Sequence, residues 1–409
     1  MKKIELLAPA GNLDKLKTAF LYGADAVYLG IPDFSLRVRI NDFNLETLKA
    51  GIKYAHELKK KVYVTVNIFA HNKHLKKLPP YLRLLKKLKV AALIISDPGI
   101  LELAKKYCPG VPLHLSTQAN CTNAAAAKFW ARQGIKRIIL GREVTLDEIK
   151  EIRRAVPRVE LEYFVHGAMC MAYSGRCFLS KELTGRSGNL GDCAQPCRWP
   201  YEVSLKTEKH ENFFELVEEQ HGTYLLNSQD LCLVKYLPEL IKAGVTSFKI
   251  EGRAKSVYYL ATIVGIYRAA LNATQKMKSP ALLKKKLDYF YQELESKIIN
   301  RGYTTGFLLG KKAGQNINDA HNKVAWEFCG QTLAWAEGLA LVKVHNTILA
   351  NDKLEIIKPD YDIISLRPEV LFDAKTAQEI KEAHGGGGGQ MIIIETPKVP
   401  AATVWRRAL

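Results

Sequence analysis

Short apolar runs alternate with longer amphipathic stretches through roughly the first 260 residues of the chain. Runs bounded by turn residues read as buried strands. They are Ile4–Leu7, Ala26–Leu29, Val62–Asn67, Leu93–Ser96, Leu113–Ser116, Arg137–Leu140, Leu161–Val165 and Ser247–Ile250. Between them, apolar positions recur at helical spacing over Leu13–Leu21, Leu45–Leu58, Pro80–Leu88, Gly99–Lys106, Ala124–Gln133, Leu146–Arg154 and, at the end, Val257–Ala270. Eight strands in βα alternation predict a parallel sheet of the α/β class. Eight such units in about 260 residues suit a closed (β/α)8, TIM-like barrel. The competing architecture is an open doubly wound sheet. No G-x-G-x-x-G follows the first strand, which argues against a dinucleotide site.

The pattern changes near residue 310. From Val324 onwards the alternation has the period of strands, as in Leu339–Val344, Leu354–Ile357 and Met391–Ile394. Turn signals separate these runs at Asn351-Asp352, Pro359-Asp360 and Gly385 to Gly389. The pattern predicts a small C-terminal β-barrel over residues 311–409, after a barrel domain over 1–310. The five-glycine run reads as a flexible hairpin tip, because a phosphate loop needs a strand before it and a helix after it.

Composition adds a partner. Lys and Arg total 60 against 41 Asp and Glu, a formal charge of +19. Such an excess favours a polyanion, most simply nucleic acid, over the alternative of a generally lysine-rich surface. The densest run, KHLKKLPPYLRLLKKLK from Lys73 to Lys89, has the spacing of a solvated helix face. No stretch is apolar enough to span a bilayer, and the opening MKKIELLAPA lacks a signal-peptide core. A cytoplasmic protein without a membrane partner is expected.

The candidate chemistry lies in the loop 166–200. Four of the eight cysteines, Cys170, Cys177, Cys193 and Cys197, are spaced C-x6-C-x15-C-x3-C. Disulfides do not suit the expected compartment, and a segment rich in Gly, Ser and Arg does not read as core. Four thiolates complete either a tetrahedral zinc site or an iron–sulfur cluster. Structural zinc usually takes two close pairs, of which only Cys193 and Cys197 form one. The wide C-x6-C suits a larger object. On spacing alone both remain open.

Catalytic groups of a (β/α)8 barrel sit at the C-terminal strand ends. Here those ends carry Asn67 and His71, Ser96 and Asp97, Ser116, Gln118 and Asn120, Arg142 and Glu143, His166, and Lys249, Glu251 and Arg253. Arg142, Lys249 and Arg253 suit a small anionic ligand, with Glu251 and Asp97 as alternative ion-pair partners. The cysteines follow the seventh strand, so a cluster there would roof the mouth and face Asn67, His71, Gln118 and Arg142. That arrangement suits redox or radical chemistry on a bound substrate.

The run EYFVHGAMCMAYSGRCFLS, from Glu162 to Ser180, resembles the signature of the collagenase-like peptidase family, the unclassified peptidase family thirty-two. ELLAPAGNLDKLKTAFLYGADAVYLG, FKIEGRAKS and RGYTTGF resemble it as well, so the likeness covers roughly residues 3 to 307. FSLRVRINDFN, VNIFAHN, SDPG, HLSTQAN and CAQPCRWPYE are most similar to its tRNA uridine hydroxylation branch. The resemblance implies hydroxylation of wobble uridine to 5-hydroxyuridine without molecular oxygen. It also implies prephenate as co-substrate and a 4Fe–4S cluster on Cys170, Cys177, Cys193 and Cys197. Other branches hydroxylate a ribosomal RNA cytidine or the ubiquinone ring, and in the ubiquinone branch a ligand position falls near Cys232, which could replace Cys193 or Cys197. The implied partners are tRNA, held by its anticodon arm, a small anionic donor and iron–sulfur assembly proteins. Asn67, His71, Gln118, Arg142, His166, Glu251 and Arg253 are the expected catalytic groups. The family name offers a peptidase as the alternative, but no H-E-x-x-H and no nucleophile motif is present. Cys108, Cys121 and Cys329 match no motif and read as packed thiols.

Overall fold

The computed structural model describes residues 4–36, 42–170, 172–201, 227–311, 314–316, 321–386 and 388–409, with the backbone of 204–205 and 214–215. Eight parallel strands close into a barrel. They are Glu5–Pro9, Ala26–Leu29, Lys61–Val66, Ala92–Ile95, Leu113–Leu115, Arg137–Ile139, Glu160–Ala168 and Ser247–Ile250, and the eighth pairs with both the first and the seventh. Apart from Lys61 and Glu160, each run is buried on both faces because helices cover the outside. Local chemistry sets the helix starts. Asn44 and Thr47 form a capping box before Leu45–Glu57, and Thr145 and Glu148 form another before Leu146–Ala155. Asp97, weighed above as an ion-pair partner, instead caps Pro98–Tyr107 by accepting the Ile100 N–H at 2.9 Å.

Among the elements that escape the sequence pattern are a strand and two helices. The strand Asp230–Cys232 runs antiparallel to the seventh barrel strand, in register with His166 to Ala168. The helices Leu237–Ala243 and Pro280–Lys297 flank the last barrel unit in sequence.

The described chain divides into two compact units, one of residues 1–4, 28–251 and 299–322, the other of 5–27, 252–298 and 323–409. In the second unit, eight antiparallel strands form one sheet around a core that includes Val342, Ile356, Ile392 and Trp405. Arg406, fully buried, donates to Glu355 at 2.8 Å, to Glu293 on Pro280–Lys297 at 3.1 Å and to the Tyr361 hydroxyl at 3.1 Å. The Tyr22 hydroxyl donates to the Ile357 carbonyl at 2.6 Å and accepts the Val404 N–H at 3.0 Å. The glycine run is not the tip of a hairpin. It joins Glu382–Ala383 to Met391–Glu395, which belong to different sheets, and Gly385 lies against the backbone of His345 with no room for a side chain. Gly387 lies outside the described residues. No helix of the described residues is long and apolar enough to cross a membrane.

Candidate functional site

Strand alternation aims a polar column into the first unit. On the seventh strand Glu162 and Phe164 share one face, paired with Ser247 and Lys249, and an irregularity in the pairing between Phe164 and His166 breaks the alternation there. Glu162 has no exposed surface and accepts from Arg137 at 3.1 Å, Ser247 at 3.1 Å and Lys249 at 3.0 Å. Lys249 also lies over the ring of Tyr28, 4.3 Å from its centroid. The Lys249 ammonium is therefore committed to Glu162 inside the barrel and is not a spare cation at the mouth. Tyr63 joins this layer, edge-on to His114 at 4.8 Å and beneath Arg137 at 5.2 Å.

Above the ion pairs, Asn67 donates to the Ser116 hydroxyl at 3.2 Å and fastens the third strand end to the fifth. The Arg142 guanidinium stacks on Phe164, 3.8 Å from the ring centroid. The backbone of His166 accepts the Glu251 N–H at 2.8 Å, and the His166 ring lies 5.5 Å from that of Tyr303. Gly167 makes this approach possible. Its φ is +112°, and a Cβ there would come within 2.7 Å of the Glu251 carbonyl.

The cysteine loop is pinned across these ends at three points. Asn189 accepts the Phe69 N–H at 3.2 Å. Glu143 accepts the Ser174 N–H at 2.8 Å. Gly175, at φ +75°, lies against the Gln118 carbonyl so closely that a Cβ would overlap it. Within the loop, the Ser180 hydroxyl accepts the Ala194 N–H at 2.9 Å, and Arg186 pairs with Asp192 at 3.1 Å.

All four cysteines are free thiols. Cys170 is exposed, and Cys177, Cys193 and Cys197 are half-buried. Burial pushes the Cys197 thiol up, Arg198 opposes it, and the charges of Cys170, Cys193 and Cys177 push it further. The other three cysteines therefore lie within electrostatic reach of Cys197. Such a set repels itself when ionised and is neutralised by a bound cation or cluster, and an all-thiolate donor set fits the iron of an iron–sulfur cluster. Among the described residues no three His, Cys, Asp or Glu side chains close to single-ion distance. The Gln195 N–H already donates to the Cys193 sulfur at 3.3 Å.

Cys232 lies apart from this loop in sequence, buried on its short strand opposite His166. Cys108, Cys121 and Cys329 are buried, and burial raises each of their thiols. His71 stands exposed at the start of the short helix Asn72–Leu75, its ring 5.8 Å from that of His74. Arg253 belongs to the second unit, where it is buried and its carbonyl accepts from Lys15 at 3.2 Å.

Two groups at the site were not singled out by the sequence. Glu162 is one. Arg301 is the other, buried with its guanidinium on Asp230 at 2.5 Å and on the Ser228 carbonyl at 2.7 Å. Burial lowers its pKa, against the charges of Asp230, Cys197 and Glu251, so it lies within electrostatic reach of Cys197. The signal for Glu162 was an acid inside an apolar strand, and for Arg301 a place in the RGYTTGF run.

The family model "Peptidase family U32" matches residues 11–318. The chain is 40% identical to "tRNA hydroxylation protein P" of Escherichia coli K12, over 89% of this chain and 88% of that protein. It is 38% identical to "tRNA hydroxylation protein P1" of Bacillus subtilis 168, over 91% and 87%. It is 32% identical to "Collagenase" of Porphyromonas gingivalis W83, over 76% and 75%.

Proposed function

We infer, from the premise that the chain belongs to the peptidase U32 family, that this protein is an RNA-modifying hydroxylase acting on tRNA. The observation that carries the reading is the four-thiol loop pinned over the barrel mouth, in a chain 40% identical to a tRNA hydroxylation protein over nearly its whole length. A hydroxylase needs a redox centre and a substrate cavity, and the loop joins one to the other.

In this reading Cys170, Cys177, Cys193 and Cys197 hold a 4Fe–4S cluster, which supplies one-electron chemistry when bound. The wobble uridine of the anticodon arm enters the mouth as a splayed base, since single-stranded loops present their bases that way. Arg142 keeps its guanidinium over the Phe164 ring, where its planar fork can make a two-point contact with a carboxylate of prephenate, the hydroxyl source, in place of molecular oxygen. His166 and Glu251, on adjoining strands, are the acid–base groups. Asn67 and Gln118 shape the cavity wall, and His71 contacts RNA at the rim. Arg253 orients its own strand end.

The test is mass spectrometry of tRNA nucleosides from cells lacking the protein, complemented with wild type or Cys170→Ala. The expected result is loss of 5-hydroxyuridine and its derivatives, restored by wild type alone. Unchanged levels in the deletion strain overturn the reading. The collagenase relative favours a second reading, a peptidase. Gelatin hydrolysis retained by the Cys170→Ala protein would select it.

A further inference from the structure

We propose that a basic cleft on the rim opposite the cysteine loop is a second RNA-phosphate site, distinct from the barrel mouth. It lies in the first unit, between the C-terminal ends of helices Leu78–Lys87 and Pro98–Tyr107. In a parallel barrel each helix runs back against the strands, so its C-terminal end lies beside the start of the next strand. The cysteine loop caps the strand ends, which places this cleft on the other face.

The cleft has a volume of about 650 Å³ and is lined by Arg83, Lys86, Lys87, Lys89, Lys106, Tyr107 and Pro109. Five of these seven side chains are cationic and exposed, and no acid lines the cleft. Among the described residues none of the five forms an ion pair. On the same helix, Lys105 is paired with Glu102 at 2.8 Å. The chain therefore neutralises lysines on these helices where an acid is in reach, and leaves the cleft unneutralised. Tyr107 lies between two of the cations, with Arg83 4.7 Å and Lys106 5.3 Å from its ring centroid. That stacking holds the guanidinium edge free for phosphate.

Five converging cations repel one another unless an anion of matching charge density sits among them. The choice of RNA over an acidic peptide or an anionic lipid rests on the function proposed above. An RNA that fills both the cleft and the mouth must extend beyond one stem–loop. The cleft therefore reads the body of a folded tRNA while the mouth receives one loop.

The probe is unmodified tRNA, with an isolated anticodon stem–loop beside it, titrated against wild type and the triple variant Arg83→Gln, Lys86→Gln, Lys106→Gln over a salt series. Each lost phosphate contact flattens the slope of log affinity against log salt by roughly 0.7–0.9, so three contacts flatten it by about 2–3. The expected result is that loss for full-length tRNA and no change for the stem–loop. The control Lys86→Arg, Lys106→Arg keeps the charge and the wild-type slope. Equal slopes for wild type and triple variant overturn the proposal. Equal weakening for tRNA and stem–loop overturns the separation of the two sites. Loss of binding to phosphatidylserine vesicles, with tRNA binding unchanged, assigns the cleft to lipid instead. Hydroxylation of the stem–loop is measured on the same proteins. Absence of hydroxylation of full-length tRNA by the wild type, measured alongside, defeats the function proposed above, while the salt slopes still report on the cleft.

Discussion

Glu162 shows what one side chain commits. It has no exposure, and it holds Arg137, Lys249 and Ser247 together across three strands. Removing one member of a buried ion network leaves the others charged and unpaired, at a cost of about 3–5 kcal/mol. Glu162→Gln should lower stability by that amount in denaturant unfolding. Glu160, 55% exposed on the same Arg137, should cost less than about 1 kcal/mol. The cysteines divide by the same kind of test. Alanine at Cys170, Cys177, Cys193 or Cys197 should remove iron and sulfide together from anaerobically purified protein. Cys232→Ala should keep both. Zinc without iron in the wild type would overturn the cluster. Arg142→Lys keeps the charge but loses the guanidinium contact over Phe164 and the two-point fork. It should weaken prephenate binding roughly tenfold, measured by titration, with iron content unchanged.

Among the elements, the cysteine loop depends most on its anchors. Its internal bonds, such as Ser180 to Ala194, give it a shape, but Glu143, Gln118 and Phe69 give it a position. Gly175 tests that distinction, because it combines φ +75° with contact against the Gln118 carbonyl. Gly175→Ala should displace the loop and lower iron retention after reconstitution, while the unfolding midpoint of the barrel stays close to wild type. Gly185 is the control. Its φ is +70°, but nothing lies within 4 Å of the site of a Cβ. Gly185→Ala should carry the backbone cost alone, on the order of 1 kcal/mol, and retain iron. Equal iron loss in both variants would show that loop geometry, not the anchor, is what fails.

For the whole molecule, charge acts in two ways. The excess of 60 Lys and Arg over 41 Asp and Glu favours a polyanionic partner, and a few buried carboxylates hold the second unit together. Burial pushes the Glu355 carboxyl up, but Arg406 and Lys297 together outweigh it and hold the group below its ordinary value of 4.5. A depressed carboxyl adds stability above the unfolded-state value and loses it as pH falls through the folded one. The second unit should therefore weaken on acidification below about 4.5. Glu355→Gln should be less stable at neutral pH and lose part of that acid response, read as unfolding midpoints across a pH series. A midpoint in the variant that falls with acid as steeply as in wild type would remove Glu355 from this role.

What the sequence determined by itself is what local periodicity and spacing encode. The run Ala26–Leu29 is a strand with the ends its pattern predicts, and Val62–Asn67 is displaced by one residue from Lys61–Val66. The cysteine spacing and the polar strand ends were legible for the same reason, since each is a property of neighbours in the chain. Pairing at a distance was not. Asp230–Cys232 is three residues long, and its partner strand lies more than sixty residues earlier. The partners of Glu162 come from 25 and 87 residues away. Asp97 looked like an ion-pair candidate until the backbone gave it a helix to cap. Lys249 looked like a free cation at the mouth until the closed barrel set it beside Glu162. Burial decides whether a charged group must be neutralised, and only the tertiary structure decides what is buried and beside what.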